Sequence, residues 1–271
     1  MMNVKEAIMN VNEVLSKVVD WLKESYDVIF VGLIGSQNYM LHTKNSDYDF
    51  KAIVLPSLED IIFGRKMVSK SIEHPYGGLV DVKDIRVMNE QWKKGNPNYL
   101  EVLFTPWKWI DKPELYWYIT HREAIAHRNS AQTKKSILGQ AFDRYKNLRK
   151  ETPNQAEEVK KYGFAAKQLC HLMRFEFMLE KFDELPFEEL INPYLGDNDY
   201  DFDLLLDIKE RRLSDEEFQM YIKEAENYLE QKKDYFKISA AAENIRLEQV
   251  MDETMYSIMK EHIKRRIENG G

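Results

Sequence analysis

The stretch DVIFVGLIGSQNYMLHTKNSDYDFKAIVLP, residues 27–56, decides how the rest of the chain is read. Its opening run, DVIFVGLIG, is almost wholly apolar, which predicts a short strand covered on both faces. Gly35 and Ser36 close that strand, and SDYDFKAIVLP then reads as a second strand stopped by Pro56. Side chains at i and i+2 of a strand share a face, so Asp47 and Asp49 should stand side by side while Tyr48 and Phe50 turn into a core. Two neighbouring anions repel. A divalent cation removes that cost, and hard carboxylate oxygens suit Mg2+ or Mn2+. A glycine at Gly35 lets backbone amides approach an anion where a Cβ would intrude. If QNYML begins a short helix, its N–H groups point to the same place, and Ser36 adds a hydroxyl. A phosphate cradle beside a carboxylate-bound metal is the arrangement for attack on phosphorus. Lys51, on the same face, either meets a phosphate or pairs with Asp49.

Outward from this stretch, residues 4–25 carry an apolar stripe of Val11, Val14, Leu15, Val18 and Leu22 at helical spacing. SLEDIIFG predicts a helix begun by Ser57 and ended near Gly64. KMVSKSIEH and GLVDVKDIRV flank PYGG, a strong turn signal, and together predict an antiparallel hairpin. Two metal ions normally want a third carboxylate, and this hairpin offers Asp81 or Asp84. Their odd spacing keeps them on opposite faces of a regular strand. Asp81 is preferred, because it lies between Val80 and Val82 where a carboxylate without a partner is unfavourable, whereas Asp84 is placed to start the next helix.

From Asn89 the pattern is helical apart from a short extended piece at PWKWI, with breaks at Pro153, Pro186 and Pro193. The predicted class is α/β (α+β): a domain over 1–128 with a small mixed sheet, then an all-helical domain over 129–271 that closes one side of the cleft. On a long helix after Pro153, Lys160, Lys167, His171 and Arg174 fall on one face. They are read as contacts to a triphosphate tail or an acceptor's phosphates, or else as a solvated face.

The 271 residues carry a formal charge of −7, which argues against a protein that coats nucleic acid with its whole surface. Between His121 and Lys161, however, bases outnumber acids and form a local basic stretch. A single cysteine, Cys170, excludes an intramolecular disulfide and a cysteine-rich zinc site, and suits the cytoplasm. The N-terminus reads as an amphipathic helix, and no run is long enough to span a membrane. DNDYDFDLLLDIKE imitates a calcium loop, but Leu204 stands where that loop needs glycine. Trp107, Trp109, Tyr116, Trp117 and Tyr118 are read as packing, and the remaining histidines show no metal-ligand spacing.

Gly-Ser, a spacer of ten residues, Asp-x-Asp on a strand and a later strand acid together resemble the nucleotidyltransferase superfamily typified by DNA polymerase beta. More narrowly, Ser46-Asp47-Tyr48-Asp49, Asp84-Ile85-Arg86, Lys94-Gly95-Asn96-Pro97 with Leu100-Glu101, and His171-Leu172-Met173-Arg174 are similar to the predicted nucleotidyltransferases associated with RNA repair, common in bacteriophages. The likeness runs from about Gly32 to Glu230. It implies that Asp47 and Asp49 hold two Mg2+ ions, that Asp81 holds the one activating an acceptor hydroxyl, and that Gly35 and Ser36 grip a nucleoside triphosphate. The reaction implied is nucleotidyl transfer to a hydroxyl, by preference an RNA end such as that of a transfer RNA, with release of pyrophosphate. The alternatives are a protein-nucleotidylating enzyme of a toxin–antitoxin or phage–host system, and a silent nucleotide-binding module. The oligomeric state stays open.

Overall fold

The central strand β1 (Asp27–Ile34), after helix α1 (Val4–Lys23), is buried at every position except its two ends, as an apolar run without alternation requires. This computed structural model describes residues 4–44, 46–237 and 244–268. β2 (Asp49–Leu55) pairs antiparallel with β1, with Ile34 opposite Asp49 and Gly32 opposite Lys51. α2 (Leu58–Ile62) follows, started by a capping box between Ser57 and Asp60. The hairpin β3 (Ser69–Glu73) and β4 (Leu79–Asp84) comes next, and its second strand lies parallel to β2. α3 (Ile85–Lys93), α4 (Pro97–Phe104) and the short edge strand β5 (Lys108–Ile110) complete a mixed five-stranded sheet of order β3-β4-β2-β1-β5.

The two faces of the sheet are covered differently. Val14, Leu15, Val18 and Leu22 of α1 pack with Val31, Leu33, Phe50, Ala52, Val80 and Val82 in one core, against which Tyr48 also rests. The opposite face, which carries Lys51, is approached by α4. α5 (Leu115–Thr120) and α6 (Arg122–Ala126) end this part of the chain.

A second compact unit, Asn129–Ala242, has only helices as the regular elements of its described residues. It comprises α7 (Ser130–Asn147), α8 (Ala156–Tyr162), α9 (Ala166–Glu180), α10 (Phe187–Ile191), α11 (Phe202–Lys209) and α12 (Asp215–Lys232), with α9 packed against both α7 and α11. The single long helix expected after Pro153 is two helices. α8 stops at Gly163, in the left-handed conformation at φ +82°, so Lys160 does not share a helix with Lys167, His171 and Arg174.

The last helix, α13 (Ile245–Glu268), belongs to the first unit, which comprises Met1–Arg128 and Glu243–Gly271. The expected division put this segment in the second domain. Long-range polar contacts explain the difference: Tyr118 Oη donates to the Met251 carbonyl (2.8 Å), Asn89 Nδ2 to Asp252 Oδ1 (2.8 Å) and His262 Nε2 to the Pro56 carbonyl (2.7 Å). No described helix is long and apolar enough to cross a membrane.

Candidate active site

β1 runs into Gly35 at φ +74°, a conformation that a side chain resists, and the chain then makes one 3-10 turn over Gly35–Gln37. The short helix expected from QNYML is only this turn. Met40 at φ +60° ends it, and Leu41 N closes back on the Ser36 carbonyl at 2.9 Å. Gln37 Nε2 donates to the Ser46 carbonyl (3.2 Å), tying the glycine-serine turn to the segment that leads into Asp47. Asn38 is fully buried, and neither its Oδ1 nor its Nδ2 has a hydrogen-bond partner among the described residues.

Asp49 is the first residue of β2, and Asp47 precedes the strand in an exposed position. The pairing of Ile34 with Asp49 brings the carboxylate beside Gly35, where an added Cβ would lie 3.6 Å from Asp49 Oδ2. Asp49 Oδ1 accepts from Leu79 N at 3.0 Å. The residue between the two acids is clamped by the hairpin turn: Tyr48 N donates to the Gly77 carbonyl (3.2 Å), and His74 Nε2 donates to the Tyr48 carbonyl (2.8 Å). The turn residues of β3–β4 thereby fix the backbone that presents Asp47 and Asp49.

Asp81 sits on the same face, in register with Lys51, one strand repeat past the level of Asp49. Its Oδ2 accepts from Lys51 Nζ (2.7 Å), and its Oδ1 from Lys83 Nζ (2.8 Å) and Ser71 Oγ (3.2 Å). Burial by itself would raise its carboxyl, but the two lysines, Lys51 foremost, outweigh it and hold the group below the usual range. For Lys51 the balance is reversed: burial pushes the ammonium down and Asp81 offsets only part of this. The Tyr99 ring lies 4.2 Å from Lys51 Nζ. Lys51 therefore pairs with Asp81, and no ion pair between Lys51 and Asp49 is described. Asp84 caps α3, accepting from Arg86 N (2.9 Å) and pairing with its guanidinium (2.7 Å), so it serves the helix start.

Among the described residues no three His, Cys, Asp or Glu side chains come close enough together to share a metal ion. The carboxylates that could hold a divalent ion are Asp47 and Asp49, which carry no described ion pair. Magnesium commonly takes one or two carboxylates, completing its shell with water and substrate phosphates. Asp81, with three donors already on its oxygens, does not fit as a ligand in this arrangement.

In the second unit, Lys167 is exposed and Arg174 is buried on α9. His171 lies between them. Burial pushes its imidazole well below the usual value, and repulsion from Arg174, Arg144, Lys167 and Lys209 adds to the effect. Arg144 of α7 reaches Gln168 Oε1 at 3.5 Å, and Lys209 is the last residue of α11. Sequence periodicity along one helix finds Lys167, His171 and Arg174 but misses these two, which join through helix packing. It misses Lys83, Ser71, Tyr99 and His74 for a like reason: their roles depend on strand register and on α4 lying over the sheet.

Residues 8–261 match the profile described as RlaP, the RNA repair pathway DNA polymerase beta family. The chain belongs to this family of nucleotidyltransferases. Among solved structures it is similar to a nucleotidyltransferase-like protein from Exiguobacterium sibiricum 255-15, at 10% identity and a TM-score of 0.33, with 92% of this chain and 80% of that one covered. No curated protein matches. Family membership gives the reaction class.

Proposed function

We propose that this RNA repair pathway family member transfers a nucleoside monophosphate from a nucleoside triphosphate to a hydroxyl at an RNA end, such as that of a transfer RNA, in the cytoplasm. The observation that carries the reading is the meeting of the Gly35 turn with Asp49 at one end of the β1–β2 pair, with Asp47 exposed beside it. Gly35 and Ser36 receive the triphosphate. Asp47 and Asp49 would hold Mg2+ or Mn2+, which neutralises phosphate charge and lowers the pKa of a bound hydroxyl.

The acceptor oxygen forms a bond to the α-phosphorus, the bond from that phosphorus to the bridging oxygen breaks, and pyrophosphate leaves with the electron pair. The hydroxyl proton passes to solvent. Chemistry of this kind rests on positioning and charge neutralisation, so no protein nucleophile is needed. In the second unit Lys167 and His171 contact phosphates of the acceptor, with Arg174, Arg144 and Lys209 adding positive charge. His171 gives a hydrogen bond, and the cations give charge.

The test is incubation of the protein with each α-labelled triphosphate, Mg2+ and a cell extract containing RNA. Label entering RNA supports the proposal. Label entering a protein band replaces it with protein nucleotidylation, and triphosphate binding without pyrophosphate release replaces it with a silent binding module.

A further inference from the structure

The superfamily arrangement calls for three carboxylates around two ions, yet the third acid on this face is engaged otherwise. Asp81 lies on β4 between Lys51 of β2 and Ser71 of β3, its register partners on either side. Both lysines that hold it are buried, Lys51 at 3% and Lys83 at 7% exposure, so neither ammonium is a mobile surface charge.

We propose that the site takes one divalent ion, at Asp47 and Asp49, and that the Lys51 ammonium, fixed between Asp81 and the Tyr99 ring, is the standing positive charge where a third carboxylate would otherwise ligate a second ion. The inference rests on the nucleotidyltransferase reading above and concerns the number of ions within it.

Three physical points lead here. An ion bound by Asp81 must sit about 2.0–2.1 Å from a carboxylate oxygen, which means displacing Lys51 from Oδ2, or Lys83 and Ser71 from Oδ1. A displaced Lys51 would be a dehydrated ammonium stripped of its counter-ion. The clamp, moreover, already sets two positive charges against one negative, so a dication entering it meets net repulsion. Asp47 and Asp49 differ on both counts. Among the described residues Asp49 accepts only from a backbone N–H and neither acid forms an ion pair; Asp47 is exposed. Lys51 follows Asp49 at i+2 of β2 on the same face, so its charge lies on the face that presents Asp49.

The experiment counts ions on the full chain. A triphosphate analogue with a methylene group in place of the α–β bridging oxygen is first shown to bind by equilibrium dialysis. Mn2+ is then titrated into the complex and the unbound ion is followed by electron paramagnetic resonance. The expected result is one bound Mn2+ per chain–analogue complex. Asp81→Asn should leave its affinity within about twofold, whereas Asp49→Asn should weaken it at least tenfold. Two ions on the unsubstituted chain overturn the proposal and leave the functional reading intact; that count needs no variant to fold. Equal weakening by Asp81→Asn and Asp49→Asn also overturns it. A chain that takes up no analogue overturns the functional reading, and the proposal with it.

Discussion

Gly78→Ala tests how the two site aspartates are held in place. Gly78 has φ +127°, and a Cβ built there would lie 2.4 Å from the Tyr48 carbonyl oxygen and 2.8 Å from its carbon. These are backbone atoms of the residue between Asp47 and Asp49, so no flexible side chain can give way. Backbone strain at such a φ costs about 1–3 kcal/mol, and the forced overlap roughly another 1–3. Gly77→Ala is the matched control: φ is +87°, but nothing lies within 4 Å of the added carbon, leaving only the conformational term of about 1–2 kcal/mol. The difference, about 2 kcal/mol, is roughly 30-fold in the unfolding equilibrium. All five tryptophans lie between Trp21 and Trp117, within the first unit, so urea unfolding followed by tryptophan fluorescence reports on the unit that carries the site. Gly78→Ala should unfold at the lower urea concentration and should also bind triphosphate more weakly than Gly77→Ala, because the Tyr48 backbone must move. Equal midpoints and equal binding for the two variants would refute the idea that this turn positions the acids.

Other outcomes follow from single contacts. Asp49→Asn keeps an oxygen for Leu79 N, so turnover should fall by about 100-fold or more while the urea midpoint stays within error. Tyr118→Phe deprives the Met251 carbonyl of its donor, at a cost of about 1–3 kcal/mol, and hydrogen exchange of the α13 amides should quicken by about tenfold. Glu176, whose Oε1 is buried without a hydrogen-bond partner among the described residues, has its carboxyl pushed up to about 8 by burial, with Glu180 and Glu224 adding to the shift. Since the folded form holds this proton more tightly than the unfolded one, its stability contribution is fully present below pH 4.5 and is lost as pH rises towards 8, by up to about 1.4 kcal/mol per pH unit. Glu176→Gln should therefore raise the thermal midpoint at pH 8.5 and change it little at pH 4.5, as read by far-ultraviolet circular dichroism.

Features governed by local sequence are legible in the sequence itself. The apolar β1 run, the Ser57 helix start, the PYGG turn and the Asp84 cap each depend on neighbours a few residues away, and each forms where its signals lie. The face shared by Asp49 and Lys51 follows from strand parity. What could not be read is set by long-range register. Asp81 meets Lys51 only because β4 runs parallel to β2, a pairing no local motif specifies. α13 joins the first unit through Tyr118, Asn89 and Pro56, all more than a hundred residues away. The helix break at Gly163 belongs to a third kind: KKYGF carries a glycine where a helix would stop, and proline-based punctuation passes over it.

The central claim is that Asp49, beside the Gly35 turn, and Asp47, two residues before it, support nucleotidyl transfer. Its most direct measurement is pyrophosphate release, with RNA and Mg2+ present, by the unsubstituted chain and by the Asp47→Ala, Asp49→Ala double variant. Release that falls to background in the variant, while its tryptophan unfolding curve is unchanged, is the result expected. Equal release from both chains would place the chemistry elsewhere and contradict the account.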